Sequence, residues 1–448
     1  MRAQCLYLAT LMLCASVSGA RADAEQPAPT TDQQKPALEE KAVVPEQKPP
    51  PKKEVLLVGW TGDHFAIQSP DGSFLFQPYG YVQGDYRIYT GDGVPPNTFT
   101  LRRARFGFQG KLDKYYEFAV LADFIDTNSR LLRDAYVNIN YLREFQLTVG
   151  QFVEPFGQEV ASVGVTNIDF VERGLTSLLY PSPAGAFRSP GAMIHGDIAG
   201  GVVSYWLGAF NGKGSAAPNT TSEPEVIARL RLYPLRFTGI DLLKGLAIGG
   251  AYGHGRSRAL SNELSFSGAT PEGAFTFFPQ LAINGPVWRA NGEASWAMGI
   301  ATIRAEYDEL HQSRNALDIG FTDLGEVKAR GFYVNATFLL TGERRPENGQ
   351  PRPSSPFLSP GGTFGIGAWE VKARYSYLWA KAVGDPANSF PDYQASVDEF
   401  SAGLNWYPTA VVRYAFDVNV YRQKDAATVG GAVPQTFVVI LQRVQYKF

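Results

Sequence analysis

The sequence predicts an all-β fold, a transmembrane antiparallel β-barrel of about 16 strands with an inward-folded constriction loop. Three observations predict it. From Phe65 onward apolar and polar residues alternate with period two in runs of about ten, the length a tilted strand needs to cross a bilayer. Beyond the N-terminal leader no stretch approaches the roughly 20 consecutive apolar residues of a membrane-spanning helix, which leaves a closed barrel as the way into lipid. The 448 residues include 46 Gly, 22 Tyr and 29 Phe against 4 Met, a turn-rich and aromatic-rich composition unlike that of a helical bundle. A formal net charge of −2 argues against a nucleic-acid partner, which would call for a basic excess.

The chain divides in three. Residues 1–24 read as a secretory signal peptide, with Arg2, an apolar run from Cys5 to Val17, and small residues ending in Ala20-Arg21-Ala22 and Ala22-Asp23-Ala24. Both cysteines, Cys5 and Cys14, fall inside it, so neither thiol catalysis nor a disulfide is expected of the mature chain. Residues 25–53 carry seven prolines among Gln, Lys and Glu and read as a disordered linker. Residues 54–448 form the expected barrel domain.

Period-two runs put strands near 79–89, 99–111, 115–125, 132–141, 144–152, 191–199, 202–210, 226–233, 245–254, 286–297, 299–309, 327–340, 366–379, 396–406, 411–421 and 435–448. In the third, Tyr116, Phe118, Val120, Ala122 and Phe124 share one face, while Glu117 and Asp123 share the other. In the thirteenth, Trp369, Val371, Ala373, Tyr375, Tyr377 and Trp379 oppose Glu370, Lys372, Arg374 and Ser376. Aromatic residues stand at both ends of that stripe, as girdles at two membrane interfaces require. The last run ends on Phe448, a terminal aromatic of the kind that outer-membrane insertion machinery reads.

The links alternate. Leu112-Asp113-Lys114, Leu142-Arg143 and Gly200-Gly201 are short, whereas 153–190, 211–225, 255–285 and 310–326 are long, which assigns turns to one rim and loops to the other. Thr341 to Gly365 breaks the pattern, a long link where a short turn is due, and its Arg-Pro pairs at 345 and 352 read as a solvated turn. A barrel this wide leaves an aqueous lumen. The link from Val153 to Pro190 is expected to fold inward and narrow it.

Arginines recur on the polar stripes. Arg103 with Arg105, Arg229 with Arg231 and Lys372 with Arg374 stand at i and i+2 and so project to one face, and Arg304 and the loop residue Arg173 add to them. Such columns of permanent cations could attract and pass small anions. Read structurally, the same charges solvate the wall beside Glu117, Asp123, Glu306 and Glu370. Glu154, Glu159, Asp169 and Glu172 are expected to set an acidic loop against that basic wall, a transverse field with little selectivity. Arg102 points at lipid under strict alternation, unless a bulge intervenes or it stands at the rim. His64, His195, His254 and His311 lack zinc-site spacing and read as loop or lumen residues, and neither a metal nor a cofactor is expected.

Several separated segments carry a family resemblance. They are Arg102-Arg103-Ala104-Arg105 leading to Gly107 and Gly110, Gly150-Gln151-Phe152, Pro155-Phe156-Gly157-Gln158-Glu159, Glu172-Arg173, Gly208-Ala209-Phe210-Asn211-Gly212, Leu340-Thr341-Gly342-Glu343, Gly367-Ala368-Trp369-Glu370, and Gly403-Leu404-Asn405-Trp406-Tyr407. In order and spacing they resemble the phosphate-selective porin O and P family, from about Phe74 to Phe448. The resemblance implies a homotrimeric outer-membrane channel with an arginine-lined lumen and a phosphate-binding constriction, with the arginines near 103 and Arg173 on the anion path. Tyr81 and Val160 depart from it, standing where selective members carry basic residues. The competing readings are a general diffusion porin and a structural or adhesive barrel. An enzymatic barrel would need a nucleophile and base at one rim, and no Ser–His pair stands out.

Overall fold

The computed structural model describes residues 56–448 except 61–63, 92, 126–130, 181–186, 259–262, 359–360, 363 and 426–435, so the expected signal peptide and linker lie outside the described residues. Sixteen long strands follow one another around the sheet. They are β1 (Leu75–Thr90), β2 (Thr98–Leu112), β3 (Tyr116–Asp123), β4 (Leu132–Leu142), β5 (Phe145–Val153), β6 (Arg188–Ile198), β7 (Val203–Phe210), β8 (Glu225–Leu232), β9 (Leu246–Ser257), β10 (Gly285–Ala297), β11 (Ala301–Arg314), β12 (Leu324–Leu339), β13 (Ala368–Ala382), β14 (Tyr393–Tyr407), β15 (Val412–Asp425) and β16 (Thr436–Lys447). Neighbours pair antiparallel, and β16 closes on β1 from Val438↔Thr90 to Lys447↔Tyr81, so the sheet is a barrel. A short hairpin, Leu57–Trp60 with Phe65–Gln68, extends the start of β1.

Alternation builds this wall as expected. On β13 the even-numbered Glu370, Lys372, Arg374 and Ser376 are buried inside the barrel, while Trp369 and its outward partners remain accessible on the lipid side. At the junction Phe448 and Gly80 exchange backbone hydrogen bonds, and the Phe448 ring stacks near Phe106. The bulge that Arg102 requires is present: Gln83 opposes Arg103 and Gly84 opposes Leu101, which leaves Arg102 as the extra residue.

Two expectations need correction. β9 and β11 run on to Ser257 and Arg314, past the expected ends at 254 and 309, and His254 and His311 stand at outward strand positions instead of in a loop or the lumen. The His311 ring stacks on Trp288 at 4.0 Å and lies between Glu309 and Glu326. The link from Thr341 to Gly365 is a true turn between β12 and β13, but it does not stay in solvent. Its Arg345 is buried, because this turn folds up into the lumen and meets the constriction loop from below.

The interior is filled by chain. At the loop end of the barrel several inward positions are apolar, including Leu310, Val327, Leu378, Val397 and Phe437. They pack against Val171, Leu175 and Leu179 of the link after β5 and against Phe266, Phe277 and Phe278 of the link after β9. Inward apolar residues on a barrel wall are unfavourable in a water-filled lumen and favourable under a docked loop, which is the role they have here.

An arginine-faced constriction in the lumen

The link between β5 and β6 enters the barrel as a narrow layer with two faces. Phe156, Val160, Val163, Ile168, Phe170 and Val171 are almost wholly buried along it. Its entry depends on one glycine: Gly157 has φ of +70°, and a Cβ there would lie 1.4 Å from the Tyr180 Oη. The backbone NH groups of Gln158 and Glu159 donate to the Glu306 carboxylate of β11 at 3.0 and 3.1 Å, and Tyr180 and Tyr333 donate their hydroxyls to the same group. An inward carboxylate of the wall thereby anchors the first turn of the loop.

Behind the loop, charges are matched. Asp169 of the loop meets Arg304 of β11 at 2.5 Å and Arg345 of the long turn at 2.6 Å. Burial raises the Asp169 pKa, but Arg304 and Arg345 outweigh it and hold the carboxyl well below its usual range. Arg345 also meets Glu370, and Lys372 meets Asp417 and donates to the Asp169 carbonyl. Arg374 pairs with Glu399, Arg443 with Asp85 and Glu172, and Arg289 with Glu154 and Glu225. Arg229 and Arg231 share Glu293, and Arg231 also reaches Glu347 of the turn.

In front of the loop lies a cavity of about 300 Å³. Arg102, Arg103 and Arg105 of β2, Arg133 of β4, Arg188 of β6 and Arg173 of the loop line it, with Glu172 as the one lining carboxylate. Asp123 holds Arg105 at 2.7 Å and Arg133 at 3.4 Å, and Asp134 holds Arg188 at 2.8 Å. Arg105 also donates to the Tyr81 hydroxyl at 2.7 Å, so the aromatic at this position orients a guanidinium. Arg173 differs from the rest. Its Nε donates to the Glu159 carbonyl at 3.3 Å, and among the described residues no carboxylate lies within 4 Å of it. Phe187 covers its face at 5.2 Å and holds a left-handed backbone, φ +52°, a conformation costing on the order of 1 kcal/mol or more for a side chain of this kind. Burial pushes the nearby Glu159 carboxyl up to about 7, against the pull of Arg374 and Arg173. Glu172 is also buried, but Arg102, Arg443, Arg103 and Arg87 hold its pKa well below the ordinary value.

The eight cations singled out in the sequence therefore separate. Arg103, Arg105 and Arg173 come together at the cavity, whereas Arg229, Arg231, Arg304, Lys372 and Arg374 lie behind the loop in ion pairs. The loop carboxylates are likewise consumed: Glu154 and Asp169 face the wall, which leaves the cavity basic where an acidic loop face was expected. Three lining arginines escaped the sequence reading as a site. Arg133 sits at the first residues of β4 and Arg188 just beyond the loop, so neither belongs to an i, i+2 column, and Arg102 needs the bulge. Val160, the second departure from the family pattern, is buried with Phe156 and Phe210 and does not line the cavity.

A closed transmembrane barrel of 16 strands, with polar inward stripes and a loop folded across its lumen, is the architecture of a bacterial outer-membrane porin. The family model for phosphate-selective porin O and P matches residues 76–448, and the chain belongs to that family. Porin O of Pseudomonas aeruginosa is 28% identical over 400 residues, covering 78% of this chain and 83% of that protein. Among solved structures, the anion-selective porin from Comamonas acidovorans superposes with a TM-score of 0.53 at 11% identity, over 84% of this chain and 100% of that one. The outer-membrane channel DcaP of Acinetobacter baumannii gives 0.52 at 10% identity, over 88% and 100%. OmpT of Vibrio cholerae in its trimer form gives 0.52 at 12% identity, over 84% and 100%. At these identities the structural likeness concerns the fold alone.

Proposed function

We propose that this porin is an anion channel in which small anions, phosphate among them, pass through the arginine-faced cavity in front of the constriction loop. The observation that carries this reading is the lining itself: six guanidiniums against one carboxylate in about 300 Å³ of the lumen. Arginine stays charged at every relevant pH and presents a planar fork to phosphate or carboxylate oxygens. Each binding step must also be weak enough to release, and the pairing of Arg105, Arg133 and Arg188 with Asp123 and Asp134 tempers the field in this way. The family's description, the name of the relative from Pseudomonas aeruginosa and the anion selectivity of the Comamonas acidovorans porin support the same direction. A homotrimer is part of the proposal, supported by the trimer form of the Vibrio cholerae structure. Residues 1–24 then act as the export signal, and residues 25–53 as a spacer ahead of the barrel.

The test is block of chloride current in planar bilayers. Millimolar phosphate reduces the chloride conductance of the reconstituted porin, and Arg173→Ala weakens that block. Chloride current that ignores phosphate, together with an anion-to-cation permeability ratio unmoved by Arg173→Ala, leaves a general diffusion porin. Tyr81, an uncharged side chain where the resemblance leads one to expect a basic residue, favours that second reading.

A further inference from the structure

The cavity has a second wall that the passage of inorganic phosphate does not explain. Beside the arginines it is lined by Val165, Leu178 and Phe187 of the constriction loop and by Leu264, Phe266 and Pro271 of the link after β9, with Ser265, Ser267 and Thr270 among them. Two separate links therefore bring apolar side chains to the same space. Leu264 keeps 43% of its surface accessible, although Phe266 beside it is buried and stacks on Phe278. Phe187 is held toward Arg173 and Tyr180 by a left-handed backbone that a phenylalanine does not adopt by preference.

A phosphate ion carries hydrogen-bonding oxygens on every side. Pressed between arginines and Leu264, it would satisfy one hemisphere and lose hydration on the other without replacement. An anion with a charged head and an apolar body meets both walls at once, the head on the guanidiniums and the body against Leu178, Phe187, Leu264 and Phe266. Binding sites for small organic molecules combine apolar lining with convergent polar groups that fix orientation, and this cavity combines the two with a larger polar share.

We infer that the channel's preferred solutes are organic anions, a phosphate or carboxylate head on a compact apolar body, and that the wall formed by Phe187 and Leu264 selects them over inorganic phosphate. This rests on the anion-channel reading above and narrows its substrate class. Removal of one phenyl-sized apolar surface from water against this wall corresponds to about a tenfold gain in affinity, roughly 1.4 kcal/mol.

The experiment compares three blockers of chloride current through the full-length porin, at a pH where all are dianions: inorganic phosphate, phenyl phosphate and glycerol phosphate, the last having a polar body. Phenyl phosphate should half-block at about one tenth the concentration of either other anion. In Leu264→Asn, which leaves the Phe187 ring on Arg173 in place, that advantage should shrink while block by inorganic phosphate is retained. Equal block by phenyl phosphate and inorganic phosphate overturns this inference and leaves the anion channel standing. Equal block by phenyl and glycerol phosphates attributes any gain to size and overturns it too. Block by none of the three overturns both readings. The wild-type comparison decides the matter even if the variant does not assemble.

Discussion

Behind the constriction loop Arg304 and Arg345 close on Asp169, Lys372 on Asp417, and Arg374 on Glu399, whereas in front of it Arg173 meets no carboxylate within 4 Å among the described residues. Both sides are built from the same residue type, and at the front Arg102, Arg103, Arg105, Arg133 and Arg188 are paired as well, so the exception is Arg173. A guanidinium matched by a buried carboxylate is a fastener: its charge is spent, and removing either partner strands the other in a low-dielectric interior. One left facing water-accessible space keeps its field and can act on a passing ion. Arg173 lines the cavity without such a partner among the described residues, whereas Arg304, Lys372 and Arg374 are each closed on one.

The comparison can be broken in steps of decreasing size. Deleting Ala161–Leu179 removes the loop together with the apolar contacts of Leu175 and Leu179, and single-channel conductance should rise by about twofold or more even with the link after β9 and the turn after β12 left in the lumen. An unchanged conductance would mean that the loop does not limit flow. Next comes Asp169→Ala, which leaves Arg304 and Arg345 without their shared partner and should cost about 3–5 kcal/mol of loop docking. Protease cutting within 161–179 in detergent-purified protein reads this out, and cutting as slow as in wild type would show that the rear pairs do not hold the loop.

Glu172→Gln acts on the front. It removes the one lining carboxylate, so the anion-to-cation permeability ratio should rise by about threefold, less than 1 kcal/mol, in keeping with partial screening in a wet lumen. A fall in the ratio would contradict the assignment of the cavity to the anion path. The smallest effect is on pH. The Glu159 carboxyl titrates at about 7, so it is neutral below that value and a carboxylate beside Arg173 above it. Anion preference should therefore decline, by about twofold, as pH rises through 7, and Glu159→Gln should flatten the response at its low-pH value. A preference that grows with pH would reverse the sign and refute the coupling of Glu159 to Arg173.

Much of the fold was legible because a strand between lipid and water has to alternate. Period two located all sixteen strands, and of the two resolutions open for Arg102, a bulge or a rim position, the strand has the bulge. Strand ends were less legible: at His254 and His311 the outward face turns polar while inward positions are Gly253, Gly255 and Leu310, so the stripe is lost. The site was half legible. An i, i+2 column reveals which way Arg103, Arg105, Arg229 and Arg231 point, but not what awaits them, because their partners come from distant segments: Glu172 and Asp123 for the first two, Glu293 and Glu347 for the others. Arg345 illustrates the same limit. Flanked by Pro, Glu and Asn it has the local signature of a solvated turn, and its burial depends on Asp169, far away in the chain, being there to receive it.

The central claim is that ions are selected at the front of the loop and not at its back. The zero-current potential in a KCl gradient, measured for wild type, Arg173→Gln and Arg231→Gln under one set of conditions, tests it most directly. The account predicts an anion-selective sign for wild type, a shift toward zero for Arg173→Gln, and a wild-type value for Arg231→Gln. A cation-selective wild type, or equal shifts in the two variants, would contradict it.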